Sequence, residues 1–123
     1  GEDVNLEEWR AQIKRGTLEY AILLLARQGP CYGYEMMSRL ARRPILAAGE
    51  STIYPLLRRL LKDGRLSAFW QETAQGLPPR KYYCITPAGL ECLAAMEAQW
   101  AELLAALKSL EKEEEHEDGQ TAE

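Results

Sequence analysis

Apolar positions recur every three to four residues up to about residue 62, alternate with polar ones between about 65 and 86, and return to the helical period from 87 onward. In "LEYAILLLAR", Leu18, Ala21, Ile22 and Leu25 fall at i, i+3, i+4 and i+7, one face of a helix that the breaker pair Gly29-Pro30 ends. A helix over about 16–28 is predicted. "YGYEMMSRLARR" carries Met36, Met37 and Leu40 at helical spacing, with Arg42 and Arg43 in the last turn, where cations suit the helix dipole, before Pro44 stops it. In "STIYPLLRRLLKDG", Ile53, Leu56, Leu57, Leu60 and Leu61 form a continuous apolar stripe; Ser51 is the expected N-cap, Pro55 is expected in the first turn, and Gly64 closes the helix.

After Gly64 the pattern turns β-prone. "RLSAFWQE" and "RKYYCIT" flank "TAQGLPP", whose glycine and prolines mark a turn, so a β-hairpin is predicted. Thr86-Pro87 then supplies the N-cap and first residue of a final helix running to about 114. Three short helices, a hairpin and one long helix is the order of a winged helix-turn-helix: a mainly α (α+β) fold with a two-stranded β-wing and a long C-terminal dimerisation helix. The expected organisation is a helical segment over 1–15, with Trp9 and Ile13 at i, i+4 and no assigned place in the fold, a DNA-binding domain over 16–86, the long helix over 87–114, and a disordered acidic tail over 115–123.

The third helix has a second organised face. Tyr54, Arg58 and Lys62 align at i, i+4 and i+8 opposite the apolar stripe, with Ser51, Thr52, Pro55 and Arg59 beside them and no acidic residue before Asp63. A recognition helix needs this combination of an anchored back and a cationic, hydrogen-bonding front. Arg58 suits a guanine edge or a phosphate, and the sequence leaves both open. At the hairpin, Arg80 and Lys81 follow two prolines, so a stiff turn delivers two cations near that helix. Tyr82 and Tyr83 point to opposite faces by strand alternation, so one at most joins a DNA surface.

Charge supports the division. Residues 1–90 hold 13 Lys+Arg against 9 Asp+Glu, while residues 91–123 hold 2 against 10. A basic body with an acidic end can meet a polyanion despite the net charge of −4.

In the last helix Leu93, Trp100 and Leu107 recur every seven residues, as do Met96, Leu103 and Leu110, an a/d seam of about three heptads. The expected partner for this seam is a second copy of the chain under two-fold symmetry. Trp100 has two readings, a large seam residue or a flat face on which a planar aromatic ligand stacks, with Met96 beside it.

Other chemistry finds little support. Cys31, Cys84 and Cys92 have neither disulfide-framework nor zinc spacing and read as small buried hydrophobes in a reducing compartment, with redox sensing by Cys31 or Cys84 as the alternative. The single histidine, His116, lies in the acidic tail, and Glu19, Glu35 and Glu50 are scattered as cap or surface charges. No catalytic set, metal site, cofactor, signal peptide or membrane span is expected, and the location expected is cytoplasmic.

"RGTLEYAILLLARQGPCYGYEM", "STIYPLLRRLLKDGRL" and "PPRKYYCITPAG" together resemble the PadR family of transcriptional regulators, over about Arg15 to Gly89. The resemblance rests on Gly33-Tyr34, Tyr54-Pro55 and Arg80-Lys81-Tyr82-Tyr83 at these separations. It implies a dimeric winged-helix repressor of the short type with one C-terminal helix. Ser51, Thr52, Tyr54 and Arg58 would then face double-stranded DNA, Tyr34 would lie near a phosphate, and Arg80 and Lys81 would serve the wing. It also implies that Trp100 stacks a small aromatic effector between protomers. The expected function is a homodimeric repressor on a palindromic operator. The alternative is a winged-helix interaction module whose basic face binds a protein.

Overall fold

The computed structural model describes residues 4–120, with side chains described to residue 113. The elements are α1 (Glu7–Arg27), β1 (Cys31–Tyr32), α2 (Gly33–Ala41), a 3-10 turn (Pro44–Leu46), α3 (Glu50–Lys62), β2 (Leu66–Gln71), β3 (Arg80–Ile85) and α4 (Pro87–Gln120). This is a winged helix of mainly α character carrying a small antiparallel sheet.

Helix α1 absorbs the segment expected to stand apart before residue 16. Between Glu7 and Arg27 the only breaker is Gly16, and one glycine costs about 1 kcal/mol in a helix interior, too little to divide a run of 21 residues. Glu7 and Glu8 sit in the first turn and Arg27 in the last, each matched to the helix dipole.

Helix α3 begins one residue before the expected cap. Gly49, extended at φ −95° and ψ −176°, is the N-cap residue, and its carbonyl accepts the N–H groups of Thr52 and Ile53 at 3.1 and 3.0 Å. Ser51 is therefore inside the helix and makes no cap. Pro55 consequently lies in the second turn, where its missing N–H removes the i+4 donor to the Ser51 carbonyl. Both residues are exposed, so solvent reaches that carbonyl's side of the helix.

The sheet has strand order β1-β3-β2. The wing pairs Leu66 with Ile85 through Gln71 with Arg80, and β1 adds the pairs Cys31–Tyr83 and Tyr32–Tyr82. The two-stranded wing thus gains a third, two-residue strand that ties it to the start of α2. Ile22 and Leu23 of α1, Met36 of α2, Ile53, Leu57 and Leu60 of α3, and Leu93 of α4 form the core with Cys31, all at 0–1% exposure. A buried aliphatic side chain of this size contributes roughly 1.5–3 kcal/mol.

The turn after α3 is fixed by a compact set of bonds. Gly64 adopts φ +74°, a left-handed conformation that lets the Gly64 and Arg65 N–H groups reach back to the Leu61 and Leu60 carbonyls at 3.1 and 2.9 Å. Thr86 then donates its N–H to the Arg65 carbonyl at 3.1 Å and its hydroxyl to the Gly64 carbonyl at 2.6 Å, while the same hydroxyl oxygen accepts the Gly89 N–H at 3.0 Å. Thr86 and Pro87 start α4 as the sequence predicts. A Cβ on Gly89 would run into the Arg65 carbonyl oxygen.

The chain divides into two compact units between Leu93 and Ala94. Leu93, expected in the dimer seam, is 1% exposed within the single chain and belongs to the core of the first unit. The second unit is the remainder of α4, on which Met96 and Trp100 are half-buried and Leu103, Leu104, Leu107 and Leu110 are exposed by 47, 52, 49 and 61%. Helix α4 extends past the expected end near 114 to Gln120. The rest of the expected tail, residues 121–123, lies outside the described residues, as does the side chain of His116.

Candidate nucleic-acid interface

The outer surface of α3 has two flanks. On the wing side, Tyr54 and Arg58 stand one turn apart and form, with Tyr34, Trp70, Arg80 and Lys81, a cleft of about 440 Å³ floored by Gly33 and Tyr83. Its charged lining residues are three cations and no carboxylate. Tyr34 is 65% exposed at the first turn of α2 and Arg58 is exposed on α3.

Close packing sets the positions of these side chains. A Cβ on Gly33 would lie 2.7 Å from Tyr54 Cε1 and 2.9 Å from its hydroxyl oxygen, so the tyrosine ring rests directly against the glycine. Burial raises the Tyr83 phenol above its ordinary 10.0, Tyr54 adds to that rise, and Arg58 opposes it, which places the three groups in one electrostatic neighbourhood.

The wing cations are steered by aromatic rings. Lys81 Nζ lies 5.8 Å from the ring centroids of both Trp70 and Tyr83, on the face of the sheet turned to the cleft. Arg80 lies over the Tyr32 ring at 4.5 Å; Tyr32 meets Tyr82 edge-on at 5.4 Å, and Tyr82 stacks on Phe69 at 5.6 Å. Rings that hold a cation in place reduce the side-chain freedom lost when it engages an anion. Of the two adjacent tyrosines, Tyr83 is the buried one, at 5% exposure.

Four expected contact residues lie outside the cleft lining. Arg59 is committed: its Nη2 pairs with Glu19 Oε2 at 2.9 Å, while Arg65 Nη1 takes Glu19 Oε1 at 2.8 Å. Its guanidinium therefore faces α1 and not the wing-side cleft. Glu19, read from sequence as a stray surface charge, bridges α1, α3 and the turn after α3. Thr52 lies on the α1 flank of α3 with Arg59. Lys62 is exposed in the last turn, beyond the cleft lining. Ser51 is exposed in the first turn of α3.

Among the described residues, no group of His, Cys, Asp and Glu could hold a metal ion, and no helix is long and apolar enough to cross a membrane. Cys31 is 1% exposed; burial, then hydrogen bonding and charge from Glu35, push its thiol up to about 12, with Arg39 pulling the other way.

A winged helix with a basic aromatic cleft beside its third helix defines a DNA-binding regulator of transcription, and comparison with known proteins specifies which kind. Residues 22–95, more than half of the chain, match the model of the transcriptional regulator PadR-like family. A PadR-like transcription factor of Bacteroides fragilis is 39% identical, with a TM-score of 0.70 over 85% of this chain and 99% of its own. A PadR family regulator of Eggerthella lenta is 35% identical, with a TM-score of 0.76 over 85% and 90%. An uncharacterized protein of Lysinibacillus sphaericus is 33% identical over 76% of this chain and 87% of its own length. The chain belongs to the PadR-like family of transcriptional regulators.

Proposed function

We propose that the protein is a cytoplasmic homodimeric repressor that enters the major groove of a palindromic operator with α3 and grips the adjacent backbone with the wing. The observation that carries this reading is the wing-side cleft, where Tyr34, Tyr54, Arg58, Arg80 and Lys81 converge from three elements with no carboxylate in the lining. Positive groups gathered around a helix with an anchored back are what phosphates and base edges require. The exposed leucines Leu103, Leu107 and Leu110 keep the heptad spacing of a seam, which supports pairing through α4 without Leu93. Two copies would present two recognition helices about 34 Å apart, one turn of DNA. Ser51 and Thr52 supply the first-turn contacts in this reading, and Lys62 reaches toward a phosphate from the far end of α3.

A small aromatic effector stacking on Trp100, with Met96 beside it, belongs to the same proposal; quenching of tryptophan fluorescence by planar compounds in the wild type but not in Trp100→Leu checks it. For DNA binding the test is Arg58→Ala. It should weaken operator binding about 10-fold or more, the loss of a hydrogen bond to a charged group, while sedimentation still shows a dimer. Unchanged operator affinity would remove Arg58 from the interface.

A further inference from the structure

Helix α3 has a second cleft on the flank away from the wing. Thr52 and Tyr54 are two residues apart and so about 160° apart around the helix axis. Tyr54 lines the wing-side cleft, while Thr52, Leu56 and Arg59 line a groove of about 590 Å³ against Ala11, Lys14, Arg15 and Leu18 of α1. Lys14 Nζ donates to the Ala47 carbonyl at 2.8 Å and braces the loop before α3. The groove's lining holds Lys14, Arg15 and Arg59 and no carboxylate, and nearby Glu19 accepts from Arg59 and Arg65. Arg15 is exposed, and among the described residues it makes no ion pair.

A helix lying in a major groove about 12 Å wide has a phosphate backbone on each side. The wing, Tyr34 and the Tyr54–Arg58 flank serve one of them. The opposite flank needs cations of its own, and the groove supplies them in Arg15 and Lys14, set beside Thr52. Because Glu19 is satisfied by two arginines, it leaves the groove positive. We propose that the α1–α3 groove seats the sugar–phosphate backbone of the strand on the side away from the wing, with Arg15 as its main phosphate ligand and Lys14 as a bracing cation. This rests on the DNA-binding reading and adds α1 to the contact surface.

The test uses the full chain and a duplex that the wild type binds selectively, titrated across a salt series. Each phosphate contact adds about 0.9 to the slope of log affinity against log salt, so Arg15→Ala should lower the slope by about that amount for each protomer bound. Between 50 and 200 mM salt, the fall in affinity should shrink by about 3.5-fold per protomer. Arg15→Lys should keep the slope, and replacing single phosphates by neutral methylphosphonates on the strand away from the wing should weaken the wild type but not Arg15→Ala. An unchanged slope in Arg15→Ala, with the wild type binding selectively, would overturn the proposal alone. A wild type with no selective binding to any duplex would remove the underlying DNA reading as well. Arg15 is exposed and alanine favours helix, so the variant should fold, and a thermal melt equal to the wild type's confirms it.

Discussion

Gly33→Ala adds one methyl group where the Tyr54 ring now rests. The new Cβ would lie 2.7 Å from Cε1, 2.9 Å from the hydroxyl oxygen and 3.0 Å from Cζ. Carbon pairs settle near 3.5 Å, so the ring must retreat by about 0.8 Å. Because the obstacle is the far end of a side chain and not backbone, the fold can absorb it. Alanine in place of glycine gains at most about 1 kcal/mol of helix stability, and a side chain forced off its rotamer loses about 0.5–1.5 kcal/mol. The two nearly cancel, and the melting temperature should move by only a few degrees. Binding is a different matter, since a hydrogen bond near 2.8 Å does not survive a 0.8 Å displacement of its hydroxyl. If Tyr54 bonds a phosphate, the loss is roughly 1.5–3 kcal/mol, about 10- to 150-fold in Kd. Anisotropy titrations on an operator duplex, paired with thermal melts, would read both quantities. Combining the change with Tyr54→Phe should add little further loss, because both act on one hydroxyl. Wild-type affinity in Gly33→Ala, or a collapsed melting temperature, would refute the view that Gly33 positions Tyr54 for DNA.

Further expectations concern the ion-pair cluster and the buried thiol. Glu19→Gln should release Arg59 toward phosphate and tighten binding to a scrambled duplex, and Arg59→Ala in that background should reverse the gain. Glu19→Gln weakens two part-exposed pairs, with Arg59 and Arg65, so stability should fall by up to about 2 kcal/mol, about 1 for each pair; unchanged nonspecific binding would show that Glu19 does not restrain Arg59. Cys31 is held up to about 12 from an ordinary 9.0. The folded chain thus keeps a proton that the unfolded chain releases, and the stabilisation is complete below about pH 9 and lost as pH climbs toward 12. The fall in melting temperature between pH 8.5 and 10.5 should therefore be smaller in Cys31→Ala than in the wild type, and equal falls would contradict it.

The parts of this fold legible in the sequence are those in which one periodic signal decides. The stripe through Ile53, Leu57 and Leu60 fixes the buried side of α3, and strand alternation alone separates Tyr82 from Tyr83. Strand β1 was not legible because two residues carry no period, and its pairing partners lie some fifty positions away. Helix α1 ran further back than its apolar stripe, since a solvated helical segment leaves only propensity as a trace. The expected cap Ser51 was misplaced by two residues, because the extended Gly49 takes the N-cap position. Heptad spacing placed Leu93 in a seam because it cannot tell burial within a chain from burial between chains. The Glu19 cluster is the plainest case of information absent from local pattern: its arginines are 40 and 46 residues away, and nothing near Glu19 marks it. The contact between Gly33 and Tyr54 was half visible, as two motifs whose meeting only the fold supplies.

The central claim is that the surface around α3 reads DNA. The most direct measurement is an anisotropy titration of the wild-type chain on the duplex immediately upstream of its own coding sequence, against a scrambled duplex of equal length, at about 50 and 200 mM salt. Contact with 6–10 phosphates predicts selective binding to the natural duplex that weakens by about 10³–10⁵ between those concentrations. Equal affinity for both duplexes, or affinity indifferent to salt, would contradict it.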